Sequence, residues 1–72
     1  MEIFSERLKL LRKQRNLTQE KTADNLKLSH RGYRAYEINE SSPSLENAMI
    51  IADFFNVTID YLVGRSDEPE RR

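Results

Sequence analysis

Four Ser or Thr residues divide the sequence into segments that repeat apolar residues at helical spacing, and this division restricts the fold more than any other feature. Each stands just before such a segment: Thr18, Ser29, Ser44 and Thr58. A hydroxyl at this position accepts a hydrogen bond from an otherwise unpaired backbone N–H of the first helical turn. The pattern therefore predicts an all-α fold, a compact bundle of five short helices around one core.

The apolar spacing and the turn residues give the predicted bounds of the helices. The first covers 3–15 and is closed by Asn16, a residue type that tolerates the left-handed conformation. The others cover 19–26, 30–38, 45–55 and a short segment from 58 that Gly64 ends. No segment alternates apolar and polar residues for long enough to predict a strand. We expect one domain over 1–65 and a flexible charged tail over 66–72, where only charged residues, Ser and Pro occur.

The composition excludes several classes of function. The chain of 72 residues has no cysteine and one histidine, so we expect no disulfide, no metal site and no cofactor. It has no Gly-rich loop and no set of nucleophile, base and orienting group, so we expect no catalytic residues and no enzyme activity. No small-molecule ligand is evident. Without an apolar run of roughly 18 residues or a signal peptide, we expect no membrane contact and a cytoplasmic location.

The charges are unevenly distributed although the formal net charge is zero. Residues 7–34 contain nine bases and only two acids, Glu20 and Asp24, whereas residues 35–72 contain three bases and eight acids. Such asymmetry is typical of chains with a polyanionic partner such as nucleic acid. The alternative is two solvated faces that neutralise each other within the fold.

Residues 18–37 have the pattern of two short helices joined by a tight turn. Each helix has about eight residues, and the break lies near 26–29. Ala23 is small where the helices must cross, and Leu28 and Tyr33 supply apolar contacts after the break. The second helix then presents a polar face formed by His30, Arg31, Arg34 and Ala35. A helix of this width enters the major groove of DNA, although other helical hairpins share the spacing.

Three segments, in order, closely resemble the XRE family of helix-turn-helix regulators, which includes Cro and phage repressors. They are ERLKLLRKQRNLTQE, LSHRGYRAYE and PSLENAMIIADFFNVTIDYLVGRSD, and the similarity covers about residues 4–67. The resemblance implies a lambda-repressor-like DNA-binding domain with its helix-turn-helix unit at about 19–38. It implies a transcriptional regulator, most naturally a repressor, that binds a palindromic double-stranded operator as a homodimer. Its expected location is bacterial or phage-type cytoplasm, on the nucleoid.

The resemblance also implies roles for individual residues. Gln19 matches a glutamine that contacts backbone phosphate and orients the reading helix. His30 and Arg31 lie where base contacts concentrate, and Arg34 is one turn further on. Arginine to guanine is the commonest specific base contact. For Gln19 the alternative is a solvent-exposed residue of the first helical turn, and for His30 it is a surface residue with no base contact. For Arg31 and Arg34 it is a residue that contacts phosphate or solvent instead of a base. The expected DNA-binding residues are Thr18, Gln19, Lys27, Ser29, His30, Arg31, Gly32, Arg34 and Ala35.

Other residues are expected to be structural. By resemblance, Arg12 and Glu37 form a buried ion pair between the first and third helices. Tyr33 and Tyr36 are expected in the core rather than stacked on bases. A set of apolar residues near the end of the chain is predicted to form part of the dimer interface, with ordinary closure of the core as the alternative: Ile59, Tyr61, Leu62 and Val63.

The sequence departs from the family pattern at positions that bear on affinity. The family usually has Gly in the break where this chain has Lys27, and a left-handed lysine costs about 1–2 kcal/mol. Gly32 weakens the reading helix by about 1 kcal/mol. Glu40, in the loop after that helix, would repel phosphate. These departures motivate an alternative function, a protein-interaction module of the same fold, such as an antitoxin-like subunit, with little DNA binding.

Overall fold

The computed structural model describes residues 2–71 and contains five α-helices in that range. They are α1 (Glu2–Gln14), α2 (Gln19–Leu26), α3 (His30–Glu37), α4 (Leu45–Phe55) and α5 (Ile59–Leu62). The described residues contain no strand. Met1 and Arg72, the outer ends of the predicted domain and tail, lie outside the described residues. The predicted all-α, five-helix architecture is confirmed.

Helices α2 to α5 begin with the predicted hydroxyl caps. Thr18, Ser29, Ser44 and Thr58 have extended backbones, and each side-chain oxygen accepts the N–H of the residue three positions later. These N–H groups would otherwise have no partner within the helix. Each cap contributes about 1 kcal/mol to the stability of its helix.

All five helices end in the same way, with a left-handed residue followed by a backbone bond that spans six residues. The residues with positive φ are Asn16, Lys27, Asn39, Asn56 and Gly64. The next residue donates its N–H to the carbonyl five positions back, as from Leu17 to Arg12 at 3.2 Å and from Val57 to Ala52 at 3.0 Å. These bonds satisfy carbonyls that the helix leaves unpaired. They also end α1 at Gln14 and α3 at Glu37, one residue before the ends predicted from the apolar spacing.

All five helices contribute residues to the core, and α5 contributes only one buried residue, Leu62. Helix α1 packs against α3 and α5, while α2 packs against α3 and α4. Tyr33 and Tyr36 lie in this core as predicted, and the Tyr36 ring meets Phe4 edge-on at 5.7 Å between centroids. The buried cluster consists of Phe4, Leu8, Leu11, Ala23, Leu26, Tyr33, Tyr36, Ile51, Ala52, Phe55, Val57 and Leu62.

The burial of Leu62 corrects one part of the predicted dimer interface. Its side chain is 0% exposed and lies within the core of the single chain. A residue without exposed surface contributes nothing to an interface, so for Leu62 the alternative, closure of the core, is the right one. Ile59, Tyr61 and Val63 remain half-buried and keep exposed surface.

The segment after α5 runs back across the turn between α4 and α5. The N–H of Thr58 donates to the carbonyl of Pro69 at 3.1 Å, and Arg71 donates to the carbonyl of Val57 at 2.8 Å and to the carboxylate of Asp53 at 2.7 Å. The segment predicted to be a flexible tail thus forms hydrogen bonds with residues at the end of α4 and in the turn before α5. Its flexibility stays a prediction.

Arg7 of α1 fixes the start of that segment. Its guanidinium donates to the carbonyls of Tyr61 and Ser66 and to the carboxylate of Asp67, and it lies 4.2 Å from the centroid of the Tyr61 ring. A cation over an aromatic face is attracted by the ring quadrupole. The end of α5 is therefore held against α1. Within residues 2–71, every helix is too short or too polar to cross a bilayer.

Candidate nucleic-acid interface

Helix α3 is anchored on one side and exposed on the other. Tyr33, Tyr36 and Glu37 are buried against α1 and the core. His30, Arg31 and Arg34 lie on the opposite side and are exposed. The spacing that predicted this polar face therefore describes its position correctly. The helix is held by its apolar side and presents a cationic side to solvent.

The anchor of α3 is a buried network around the Glu37 carboxylate, whose residue is 2% exposed. One carboxylate oxygen accepts from Arg12 Nη2 at 3.1 Å and from Gln19 Nε2 at 3.0 Å. The other accepts from Arg12 Nε at 2.6 Å and from the Tyr33 hydroxyl. Arg12 also donates to the carbonyl of Leu17 at 2.8 Å. The network joins α1, the start of α2 and the end of α3, and it contains the predicted Arg12–Glu37 contact.

The protonation of this network follows from its hydrogen bonds. Burial alone would raise the pKa of Glu37, but the bonds from Arg12, Tyr33 and Gln19 outweigh it and hold the pKa below its ordinary value. The hydrogen bond to Glu37 raises the pKa of Arg12. Burial, together with the bond to Glu37, raises the pKa of the Tyr33 hydroxyl. Glu37 is therefore an anion and Arg12 a cation at neutral pH, and each needs the other.

Gln19 connects this buried network to the exposed face. It is the first residue of α2, is half-buried, and donates a hydrogen bond from its side-chain amide to the carboxylate of Glu37. Its amide is thus held in a fixed orientation, with a second N–H and the side-chain oxygen remaining. The phosphate contact that the resemblance implies for Gln19 stays a prediction, as do the DNA roles of the other expected residues.

A cleft of about 290 Å³ brings together residues from the starts of α2 and α3. It is lined by Gln19, Glu20, His30, Arg31 and Arg34. Four of these five were expected to bind DNA from the sequence, although Gln19 is separated from Arg34 by fourteen intervening residues. The cleft combines two guanidinium groups, an amide and an imidazole, which are the hydrogen-bonding groups that read base edges and phosphates.

A second cleft of about 260 Å³ lies on the other side of the two arginines. Arg31 and Arg34 line it together with Ala35, Ile38 and Glu40. Glu40 therefore lies beside the cationic face, and the concern that it would repel phosphate stands. Ile38, an apolar residue, is exposed in the same cleft. The helical spacing did not predict this exposure. An apolar side chain here is of the type that contacts thymine methyl groups.

Three of the expected DNA-binding residues serve first to start the helices. The hydroxyl of Thr18 accepts the Lys21 N–H at 3.0 Å, and that of Ser29 accepts the Gly32 N–H at 2.9 Å. A Cβ on Gly32 would lie 2.8 Å from this Ser29 oxygen, closer than real Cβ contacts. Glycine at this position therefore leaves room for the cap of α3. This reason for Gly32 is invisible in the sequence alone.

Lys27 has the left-handed conformation that its position in the break predicts. Its φ is 58° and its ψ is 38°, and it is exposed. The residue lines neither cleft. Its strain of about 1–2 kcal/mol is real in this chain, since glycine would adopt the same angles without a steric penalty.

Two acids in the basic half of the sequence, Glu20 and Asp24, are exposed on the same stripe of α2. Glu20 lines the first cleft. Asp24, one turn further, accepts a hydrogen bond from His30 Nε2 at 2.8 Å. The i, i+4 spacing of these acids on α2, the helix next to α3, is the signal that would have found them.

The bases of residues 7–34 divide into two groups in space. Three are bonded within the fold: Arg7 to the end of α5, Arg12 to Glu37, and Arg15 to the carbonyl of Phe54 at 2.9 Å. The other six form no hydrogen bond or ion pair from their side chains within residues 2–71: Lys9, Lys13, Lys21, Lys27, Arg31 and Arg34. The excess of positive charge is thus partly structural, and the exposed remainder includes both arginines of α3.

The described residues show no other kind of site. No group of three or more His, Cys, Asp or Glu side chains within residues 2–71 is placed to hold a metal ion. In the same range, every buried side-chain nitrogen or oxygen has a hydrogen-bond partner.

Comparisons with known proteins agree with this geometry. A family model described as helix-turn-helix matches residues 8–62. The chain is 32% identical over 94% of its length to an uncharacterized HTH-type transcriptional regulator, YobD, of Bacillus subtilis, and 40% identical over 92% to a second one, YqaE. It is 43% identical over 86% to a cryptic phage CTXphi transcriptional repressor, RstR, of Vibrio cholerae.

The chain spans only part of these relatives: 61%, 58% and 55% of their lengths, respectively. No solved structure matches the chain.

Proposed function

Because the chain belongs to the helix-turn-helix family of transcriptional regulators, we propose that it binds double-stranded DNA sequence-specifically through α3. The observation that carries the proposal is the cleft shared by Gln19, His30, Arg31 and Arg34 on the side of α3 that faces away from the core. The helix enters the major groove with its N-terminal end first. Arg31 and Arg34 are then the principal base readers.

The start of α2 positions the protein on the DNA backbone. Gln19, held by Glu37, contacts phosphate through its remaining amide hydrogen, and Lys27 contacts phosphate with its amine. Phosphate contacts fix the register of the protein without reading sequence. Thr18 and Ser29 expose the backbone N–H groups of the two helix starts to the same phosphates. Gly32 and Ala35 have the smallest side chains on α3, so the helix backbone can approach the DNA closely.

We propose that two copies read an inverted repeat. A two-fold dimer places its two reading helices about 34 Å apart, one turn of DNA. Ile59, Tyr61 and Val63 are half-buried and keep some exposed surface, although Ile59 and Tyr61 also pack against the core. We propose that their exposed surface forms part of the dimer interface. The protein then occupies the nucleoid in bacterial cytoplasm.

Repression is the proposed direction of regulation. The support is the similarity to RstR, which is named a transcriptional repressor. A relative from Enterococcus faecalis, 40% identical over 83% of the chain, is named a transcriptional activator, BcrR. Since relatives named as a repressor and as an activator both match, the direction of regulation does not follow from the fold alone.

The second candidate is a protein-interaction module of the same fold. The observation that favours it is Glu40, which lines the same cleft as Arg31 and Arg34 and opposes phosphate there. In this case the acidic half of the chain faces a protein partner, and DNA affinity is low at every sequence.

Selection of operators from a random DNA library tests the proposal, with the purified chain at two salt concentrations. The test variant is Arg31→Ala/Arg34→Ala. The matched control is Lys9→Ala/Arg65→Ala, which removes the same charge from exposed residues that line neither cleft.

Enrichment of one inverted repeat, lost in the test variant and kept in the control, is the expected result. Uniform retention that falls steeply with salt in all three proteins would refute sequence-specific reading, because counterion release depends on charge and not on sequence. No retention even at low salt would refute DNA binding and favour the protein-interaction module.

A further inference from the structure

The acidic residue Asp24 occupies an unexpected place for a DNA-binding surface. It lies on α2, and its only side-chain partner within residues 2–71 is His30, the first residue of α3. The two side chains are 67% and 56% exposed, respectively. A carboxylate here weakens phosphate binding at every DNA sequence.

We propose that Asp24 is a positioning residue that sets which bases His30 accepts, an inference that rests on the proposed function. A carboxylate oxygen accepts hydrogen bonds, so the 2.8 Å contact with Asp24 is a hydrogen bond when His30 Nε2 carries the proton. In the neutral ring Nδ1 is then an acceptor. The contact favours this tautomer over the opposite one, in which Nδ1 carries the proton and donates it.

This tautomer has a definite counterpart in the major groove. An acceptor pairs with the exocyclic amino group of adenine or cytosine. Guanine and thymine present only acceptors there, apart from the thymine methyl group. His30 held by Asp24 thus favours adenine or cytosine at the base it meets and rejects guanine. Arg31 and Arg34, in the same cleft, supply the donors that guanine requires.

The matched control is the other acid of the same stripe. Glu20 lines the cleft but forms no hydrogen bond with His30 within residues 2–71. Glu20→Ala and Asp24→Ala each remove one negative charge from the same face of the same helix. Both raise nonspecific DNA affinity by a similar factor if charge is all that matters.

The first readout is operator selection with the wild type, Asp24→Ala, Glu20→Ala and His30→Ala. The wild type prefers adenine or cytosine at the operator position whose preference His30→Ala removes. Asp24→Ala lowers that preference by about threefold to tenfold, the range of one hydrogen bond. Glu20→Ala keeps the contact between Asp24 and His30 and lowers the preference by less. Equal logos for the two acid variants, or a guanine at the His30 position of the wild type, would overturn the proposal.

The second readout does not need DNA. The chain has one histidine, so nitrogen-15 NMR of the ring reports His30 without ambiguity. Measured well above the range in which imidazole ionises, the wild type shows a larger fraction of the Nε2–H tautomer than Asp24→Ala does. The same mixture in both proteins would overturn the inference while leaving the proposed function intact. A wild type that selects no operator would overturn both.

Discussion

Replacing Glu37 by Gln removes the charge at the centre of the network that holds α3 against α1. The carboxylate accepts four hydrogen bonds, two on each oxygen, and three groups donate them. Gln has one acceptor oxygen, so its NH2 group necessarily faces an Arg12 N–H and either Gln19 or Tyr33. Arg12, with a side chain only 13% exposed, keeps its charge without a counter-ion.

The expected loss of stability is about 3–5 kcal/mol, the range for breaking one partner of a buried ion pair. A domain of this size has a total stability of roughly 4–11 kcal/mol, so the variant stands near the limit of folding. Each kcal/mol shifts the Tm of a small domain by about 4–8 °C. Urea and thermal unfolding followed by far-UV circular dichroism measure both quantities.

Two further variants make this prediction sharp. Asp67→Asn disrupts an ion pair whose acid is 99% exposed, and we expect no measurable change in the unfolding midpoint. Arg12→Met/Glu37→Met replaces both charges by apolar side chains and recovers a large part of the loss. The reasoning is wrong if Glu37→Gln loses less than about 1 kcal/mol. It is also wrong if the double variant loses as much stability as Arg12→Met and Glu37→Met, measured singly, lose together.

Three other changes have expected outcomes. The pKa of Glu37 in the folded protein lies below its ordinary value of 4.5. The ionised carboxylate therefore contributes its full stabilisation above pH 4.5, and this stabilisation is lost as the pH falls through the folded-state pKa. Unfolding measured over a series of acidic pH values shows this loss in the wild type and not in Glu37→Gln. Leu62→Ala lowers the free energy of unfolding in urea by about 2–5 kcal/mol because Leu62 is buried in the core, whereas Val63→Ala lowers it much less. Equal, small losses for the two variants would contradict a core position for Leu62. Lys27→Gly relieves left-handed strain and, after the entropy that glycine adds to the unfolded chain, stabilises by about 0.5–1 kcal/mol. If Lys27 contacts phosphate, the same variant lowers the salt slope of DNA binding by about 0.9, and an unchanged slope would contradict that contact.

The sequence by itself determined where α2 to α5 begin. Thr18, Ser29, Ser44 and Thr58 cap their helices as predicted, because capping depends on atoms three residues apart. The triplets Asn16-Leu17-Thr18, Lys27-Leu28-Ser29 and Asn56-Val57-Thr58 repeat one local rule, a left-handed residue, an apolar residue and a cap. The polar face of α3 follows from helical periodicity alone.

Only the tertiary structure decided which residues of similar chemistry do different things. Arg15 and Arg34 have the same side chain, yet Arg15 donates a hydrogen bond to the carbonyl of Phe54 whereas Arg34 lines the two clefts beside α3. Leu62 and Val63 are neighbours of the same apolar type, and only Leu62 points into the core. Asp24 meets His30 because the turn at Lys27 folds α3 back against α2. Local rules fix the geometry within a helix, whereas partners across the fold depend on how the helices pack, which no short-range pattern encodes.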